Sequence, residues 1–371
     1  MQDLAARPEI DLTVYFYSSY GLGSTPDPHF GRTLYTAESS LAGYHSLFLR
    51  NYSPRPGVGP FFAWIHPGVV RELFRNYDAV IMHGWWGASN LLAYLTAFAR
   101  GLPVLVHSDR NAMVAHASRY RTSALDWLFR KVSAFLVVGK RNAVFYRQHG
   151  VPDAKMFLSP LAVDNDFYTR EAARLAPERP ALRRQLGIAP GEFAILYVGR
   201  FVPEKGVPDL LTAFQELAAT RAHLVLAGDG PEGGRLREFV AAHHLERVHF
   251  VGSKSYEELP AYYALADVLV VPSHTEPWAV VVNEAMNFAL PVIASQQVGA
   301  ADDLVSEGVN GFRFEAGDTA TLAARLRRLM EDPPLRRQMG EASLPIIREW
   351  NFGRATEGVL AALRSLRPNR G

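Results

Sequence analysis

Ten short apolar runs, each four to six residues long and spaced by helix-length segments, constrain the fold of this chain more than any other feature. In the first half they are Leu12 to Tyr17, Phe61 to Ile65, Ala79 to His83, Val104 to His107 and Phe135 to Val138. In the second they are Phe193 to Val198, His223 to Ala227, Val248 to Val251, Val268 to Val271 and Pro291 to Ala294. Runs this short and this rich in β-branched residues suit strands buried on both faces, and strands alternating with helices build parallel sheets. The helical candidates are Pro67 to Asn76, Ala88 to Arg100, Arg119 to Lys131, Arg141 to His149 and a helix from Val207 with Pro208 in its first turn.

A length of 371 residues exceeds one ordinary sheet domain. The fold class expected is therefore α/β, with two Rossmann-like, doubly wound parallel-sheet domains facing a central cleft. Residues 1–163 form the first domain, the polar, proline-containing stretch 164–186 the linker, and 187–351 the second domain. A terminal helix, 352–371, carries Val359, Leu360, Leu363 and Leu366 at helical spacing. Ligands of such folds lie at the carboxyl ends of the strands.

Composition narrows the chemistry. The absence of cysteine excludes disulfides, thiolate nucleophiles and cysteine-held zinc. Neither half has a G-x-G-x-x-G after a strand, which disfavours a dinucleotide cofactor, and no nucleic-acid motif is present. The amino-terminal MQDLAARPEI lacks the basic and apolar regions of a signal peptide and no run is long enough to span a bilayer, so a cytoplasmic location is expected. Residues 1–160 hold 16 Lys and Arg against 10 Asp and Glu, a net +6. The excess is concentrated in Arg119, Arg121, Arg130, Lys131, Lys140 and Arg141. It fits an anionic membrane surface, an anionic acceptor or simply solvated helix faces.

Two segments carry chemistry. Gly199-Arg200 ends one strand and leads through Glu204-Lys205-Gly206 into a helix, so that a planar fork and a point charge can bracket a diphosphate. A surface loop with a Glu204–Lys205 pair would read the same way. The second segment runs from Glu276 through Trp278, Ala279, Val280 and Val281 to Glu284. A helix starting near Ala279 presents free N–H groups to an anion and sets Glu284 about 7 to 8 Å along its axis. With Glu276 on the preceding loop, the two carboxylates flank a phosphate site, the layout of a nucleotide sugar: sugar, diphosphate, ribose. Asp164-Asn165-Asp166 imitates a metal-binding D-x-D, but Arg200 and Lys205 already supply positive charge, and no metal or other cofactor is expected.

These residues, together with Gly228-Asp229-Gly230-Pro231, Ala266-Asp267, Pro272-Ser273, Ala289 through Ala294 and Asn310-Gly311-Phe312, resemble the retaining glycosyltransferase family 4, which has the GT-B fold. The resemblance covers about Gly187 to Trp350. It implies donor binding by Gly199, Arg200, Lys205, Glu276 and Glu284, with Gly252, Ser253 and Lys254 near the base. It implies transfer of a hexosyl unit from a nucleoside diphosphate sugar, UDP ahead of GDP and ADP, to an unidentified acceptor held by the first domain. Arg200, Lys205, Glu276 and, by analogy, His107 are the catalytic candidates. Acceptor-side candidates are Gly21, Gly23, His83, Trp85, Trp86 and Asp109. The family's usual glycine is Ala279 here, and its usual glycine pair in the first-domain loop is replaced by Tyr20-Gly21-Leu22-Gly23. A nucleotide-sugar epimerase of the same fold and an inactive partner or sensor protein are the competing readings.

Overall fold

The computed structural model describes residues 1–19, 41–57, 60–110, 119–217 and 221–366, with backbone alone for 119–122. Gly21 and Gly23 lie outside the described residues.

The second half is one six-stranded parallel sheet. Its strands are β7 (Phe193–Val198), β8 (Ala222–Ala227), β9 (Val248–Phe250), β10 (Val268–Val271), β11 (Val292–Ser295) and β12 (Gly311–Phe314), in the order β12-β11-β10-β7-β8-β9. The chain winds outward from β7 in one direction and returns to start from β10 in the other. This makes the boundary between β7 and β10 a topological switch point, where the connecting loops diverge to opposite faces and leave a crevice. The five strands expected in this half are each present to within one residue, and in the central ones continuous apolar runs bury both faces: every residue of β8, β10 and β11 is buried.

The first half contains β1 (Thr13–Phe16) paired in parallel with β2 (His45–Phe48). A separate parallel sheet has the order β3 (Val80–His83), β4 (Val104–His107), β5 (Ala134–Val137), β6 (Met156–Leu158). Phe61 to Ile65, expected as a strand, is not one. Its backbone is satisfied from the side: Asn51 Oδ1 accepts from Ile65 N and Asn51 Nδ2 donates to Ala63 O, while Ser53 Oγ donates to Phe62 O. A short polar side chain offering both donor and acceptor competes with a strand ladder for the same groups. Strands β2, β6 and β12 were not expected from the sequence, since each is only three or four residues long and little of β2 is buried.

The segment expected as a linker is instead two helices, Asn165–Leu175 and Arg179–Gln185, joined by a 3₁₀ turn. Asp164 caps the first by accepting from Phe167 N at 2.8 Å. Buried Tyr168 fixes that helix to the core around Val282 and Met286. The second helix is fastened by Arg179 and Arg183, which donate to Asp267 at 2.8 and 3.0 Å just before β10.

The terminal helix Phe352–Ser365 packs on the first sheet. Val359, Leu360 and Ala362 join Leu105, Ala134 and Leu136 in one apolar cluster, and Leu363 and Leu366 lie against it. A second tie between the halves uses residues of the basic cluster. Arg141 donates to Asp302 at 2.6 and 3.1 Å, Lys140 Nζ donates to Asp302 O, and Lys140 N donates to Asp303 Oδ2. Two of the six cations noted in the sequence thus face acids of the second half.

Candidate active site

The switch point between β7 and β10 assembles the site. After β7 the chain passes Gly199 and Arg200, makes a 3₁₀ turn over Pro203–Lys205, and enters the helix Val207–Gln215 through Gly206 in the left-handed conformation, φ +63°. A β-carbon at Gly206 would lie 2.2 Å from Pro272 O, so only glycine lets this loop cross the one that follows β10. His274 N donates to Glu204 O at 2.8 Å, a backbone tie between the same two loops. Glu276 is pinned in turn: Gly299 N donates to its carbonyl, and a β-carbon at Gly299 would stand 1.8 Å from Pro277 O.

These ties place Lys205 Nζ against Glu276 Oε2 as a mostly buried ion pair. The cation and the acid identified separately in the sequence therefore meet across the switch point. Arg200 is half-buried on the β7 side, its carbonyl accepting from Tyr197 OH at 2.9 Å. Below it, Gly228 approaches Gly199 so closely that a β-carbon would lie 1.8 Å from Gly199 O. We therefore expect Gly228→Ala to displace the Arg200 loop and to reduce nucleotide affinity by about tenfold or more, measured by titration calorimetry.

Ala279 precedes the helix Val280–Met286 with φ +79° and ψ +76°. A side chain other than glycine in this region is sterically strained, at about 1 kcal/mol or more. The helix is only seven residues long, so its contribution as an anion site rests on the N–H groups of its first turn more than on a long dipole. Val280 and Val281 open it; Val280 is exposed and Val281 half-buried.

Glu284, one turn and a residue down, accepts from Tyr263 OH at 2.5 Å. Burial pushes its carboxyl above the usual range, against hydrogen bonds from Tyr263 and Tyr168 that pull it down. Tyr263 was not singled out from the sequence; the signal was its position, three residues before Ala266-Asp267, on the helix packed beside β10. The Asp209–His274 pair, 2.7 Å apart at the mouth of the Lys205 loop, was also missed. Trp278 lies among the sequence candidates, but its indole is buried: Nε1 donates to Asn283 Oδ1 at 2.9 Å, and the ring packs against Trp350. A β-carbon at Gly139 of the first half would lie 2.5 Å from it, so this side chain seals the two halves together and only its backbone borders the site. Gly252 turns with φ +75° after β9, followed by exposed Ser253 and by Lys254, whose ammonium lies over the Tyr262 ring.

On the first sheet, β3 and β4 end in register on His83 and His107. Their rings meet edge to face at 5.2 Å, with Nδ1 to Nδ1 at 3.4 Å, and His107 Nε2 lies 3.4 Å from Ser159 O. Loss of solvation, then the neighbouring His107, pushes His83 down to about 4; loss of solvation likewise lowers His107, against Ser159 and Asp109. Both imidazoles are neutral at pH 7. Exposed Asp109 follows two residues on. Trp85 stacks on Phe145 and belongs to the core edge, whereas Trp86 is exposed beside Phe61.

Residues 178–344 match the family model described as glycosyl transferases group 1, a stretch that contains Arg200, Lys205, Glu276 and Glu284. The chain has the GT-B fold. Among its relatives, an alpha-D-kanosaminyltransferase of Streptomyces kanamyceticus is 29% identical over 280 residues, 70% of this chain and 69% of that one. A D-inositol 3-phosphate glycosyltransferase of Nocardia farcinica is 28% identical over 317 residues, 81% of this chain and 69% of the relative. Among solved structures, Anabaena Alr3699/HepE in complex with UDP superposes on this chain with a TM-score of 0.74 at 20% identity. It covers 95% of this chain and 92% of that one, a likeness of fold.

Proposed function

We propose that this chain is a glycosyltransferase that moves a hexosyl unit from a UDP-sugar to an acceptor held on the first-sheet side, with retention at the anomeric carbon and without a metal ion. The observation that carries the reading is the Lys205–Glu276 pair at the switch point, with Arg200 on the same loop leaving β7. The departing diphosphate gains charge as the glycosidic bond breaks, and two fixed cations with the N–H groups of Val280 and Val281 can stabilise that charge. Glu276 accepts hydrogen bonds from sugar hydroxyls, and Glu284 accepts from the ribose diol. The leaving phosphate takes the acceptor proton on the same face, so no protein nucleophile is required. His107, neutral and at the end of β4, borders the sugar from the opposite side of the cleft. The UDP complex of the Anabaena structural neighbour supports uracil as the base.

The experiment is an assay of the full chain with UDP-, GDP- and ADP-sugars, following transfer and slow donor hydrolysis. Turnover with UDP-sugars alone supports the reading; epimer formation assigns an epimerase, and binding without turnover a sensor. Activity is expected to be unchanged in EDTA, because the cations that face the diphosphate belong to the protein. Loss in EDTA with recovery in Mn²⁺ or Mg²⁺ overturns the metal-free mechanism.

Glu284→Gln is expected to weaken UDP binding by about tenfold, the scale of one charge-assisted hydrogen bond. The sign of its pH dependence follows from burial. A carboxyl raised above its ordinary range is protonated over a window where a solvated one is ionised, and only the carboxylate accepts from both ribose hydroxyls. The difference between wild type and Glu284→Gln should therefore grow as pH rises through that window. Equal affinities at every pH would place Glu284 outside the nucleotide site.

A further inference from the structure

The helix Ala88–Ala99 contains no charged residue and turns two of its three leucines outward. It buries Ser89, Ala93, Tyr94, Thr96 and Ala97 and leaves Leu91 44% and Leu95 47% exposed. A helix facing water normally does the reverse. The polar residues on the inner side are satisfied there: Ser89 Oγ donates to Trp64 O at 2.8 Å, and Thr96 Oγ1 donates to Leu92 O. Close packing explains the small inner face, but it gives no reason for leucines on the outer one.

The apolar surface extends beyond the helix at both ends. Before its amino terminus, Phe61 touches Phe62, 66% exposed, and Trp86, 49% exposed, with ring centroids 5.0 and 5.2 Å apart. On the far flank Phe98, one turn after Leu95, meets Trp127, which is 45% exposed. Arg130 and Lys131 stand exposed one turn beyond Trp127 on the helix Arg119–Lys131, whose sequence also includes Arg119 and Arg121. A connected apolar patch with aromatic residues at its edges and cations on its rim marks an interaction surface.

We propose that this face seats on an anionic lipid bilayer. The aromatic edges and leucines enter the headgroup boundary while the rim cations face anionic lipid, the arrangement of an interfacial helix that lies on a membrane without crossing it. No helix among the described residues is long and apolar enough to cross a bilayer. Charge selects this occupant over a second copy of the chain, since exposed Arg130 and Lys131 on the rim attract anionic headgroups, whereas a second copy would set the same cations against them.

The test is flotation of the full chain with vesicles of phosphatidylcholine alone or with phosphatidylglycerol added, in the absence of any donor, so that it stands apart from the proposed transfer reaction. Binding to the phosphatidylglycerol vesicles is expected, weakening as salt rises. The pair Leu91→Ser with Leu95→Ser should lower affinity by about tenfold or more, and so should Arg130→Glu with Lys131→Glu. Both pairs are at exposed positions, and unchanged circular dichroism and UDP affinity would show that the fold is retained. Failure of the wild-type chain to float with anionic vesicles overturns the proposal. Flotation unaffected by both pairs also overturns it. A dimer in solution that Leu91→Ser with Leu95→Ser dissociates, without vesicle binding, reassigns the face to a second copy.

Discussion

Replacing Lys205 by alanine is expected to lower the rate of sugar transfer by on the order of 10² or more, and Arg200→Ala to act on the same scale. The size follows from where the charges stand. Lys205 is held by the Pro203–Lys205 turn and by Glu276, and the backbone that carries Arg200 is held by the close approach of Gly199 to Gly228, so the loop bearing both cations is in place before charge grows on the leaving diphosphate. A fixed group acts mainly on the transition state and its loss therefore appears in kcat more than in KM. Removing Lys205 also strands Glu276 in a mostly buried position, so the melting temperature of Glu276→Gln combined with Lys205→Ala shows how much of the loss is stability. Initial rates and melting temperatures of the variants make the check. Normal turnover with both cations removed would eliminate the diphosphate assignment.

The reading of the second sheet from sequence worked because its physics is local. A strand buried on both faces must be a continuous apolar run, and β7, β8, β10 and β11 are such runs. Arg200, Lys205 and Glu276 were visible because each stands a few residues past the end of one of these strands. Their meeting was not visible, since it depends on β7 and β10 being neighbours in the sheet while 69 residues separate Val198 from Val268 only along the chain. Tyr263 and the Asp209–His274 pair were illegible for the same reason: each partner is unremarkable alone. The first half was harder to read. Its short strands β2 and β6 carry little apolar signal, and Phe61 to Ile65 has strand composition but has its backbone groups taken by Asn51 and Ser53. Trp278 shows the converse error, in which a residue inside the binding motif by sequence turns its side chain toward Gly139 and Trp350.

Truncation of the chain before Phe352 is expected to cost on the order of 5 kcal/mol of stability, and to impair transfer far more than UDP binding. The helix Phe352–Ser365 buries Val359, Leu360 and Ala362 against Leu105, Ala134 and Leu136 on the side of the first sheet, and each fully buried Val or Leu is worth about 1.5–3 kcal/mol. Loss of the helix exposes that face of β4 and β5, and β4 carries His107. The residues proposed to bind the nucleotide stand on β7, β10 and their loops in the other sheet, with Asp267 anchoring β10 independently through Arg179 and Arg183. Distant, independent sites behave additively, so UDP affinity should change by about twofold at most. Transfer requires both sheets to hold their relative position across the cleft and therefore falls with the first one. A point variant separates docking from deletion. A β-carbon at Gly358 would stand 1.9 Å from Leu158 O, at the end of β6, so Gly358→Val keeps the helix sequence but lifts it from the sheet. Gly358→Val should reproduce the pattern at smaller amplitude, about 1–3 kcal/mol less stable with UDP binding retained. Calorimetric melting and UDP titration of the two variants decide the matter: full transfer activity in the truncated chain would show that the terminal helix does not hold the cleft, and an equal loss of UDP affinity would show that the two sheets do not bind separately.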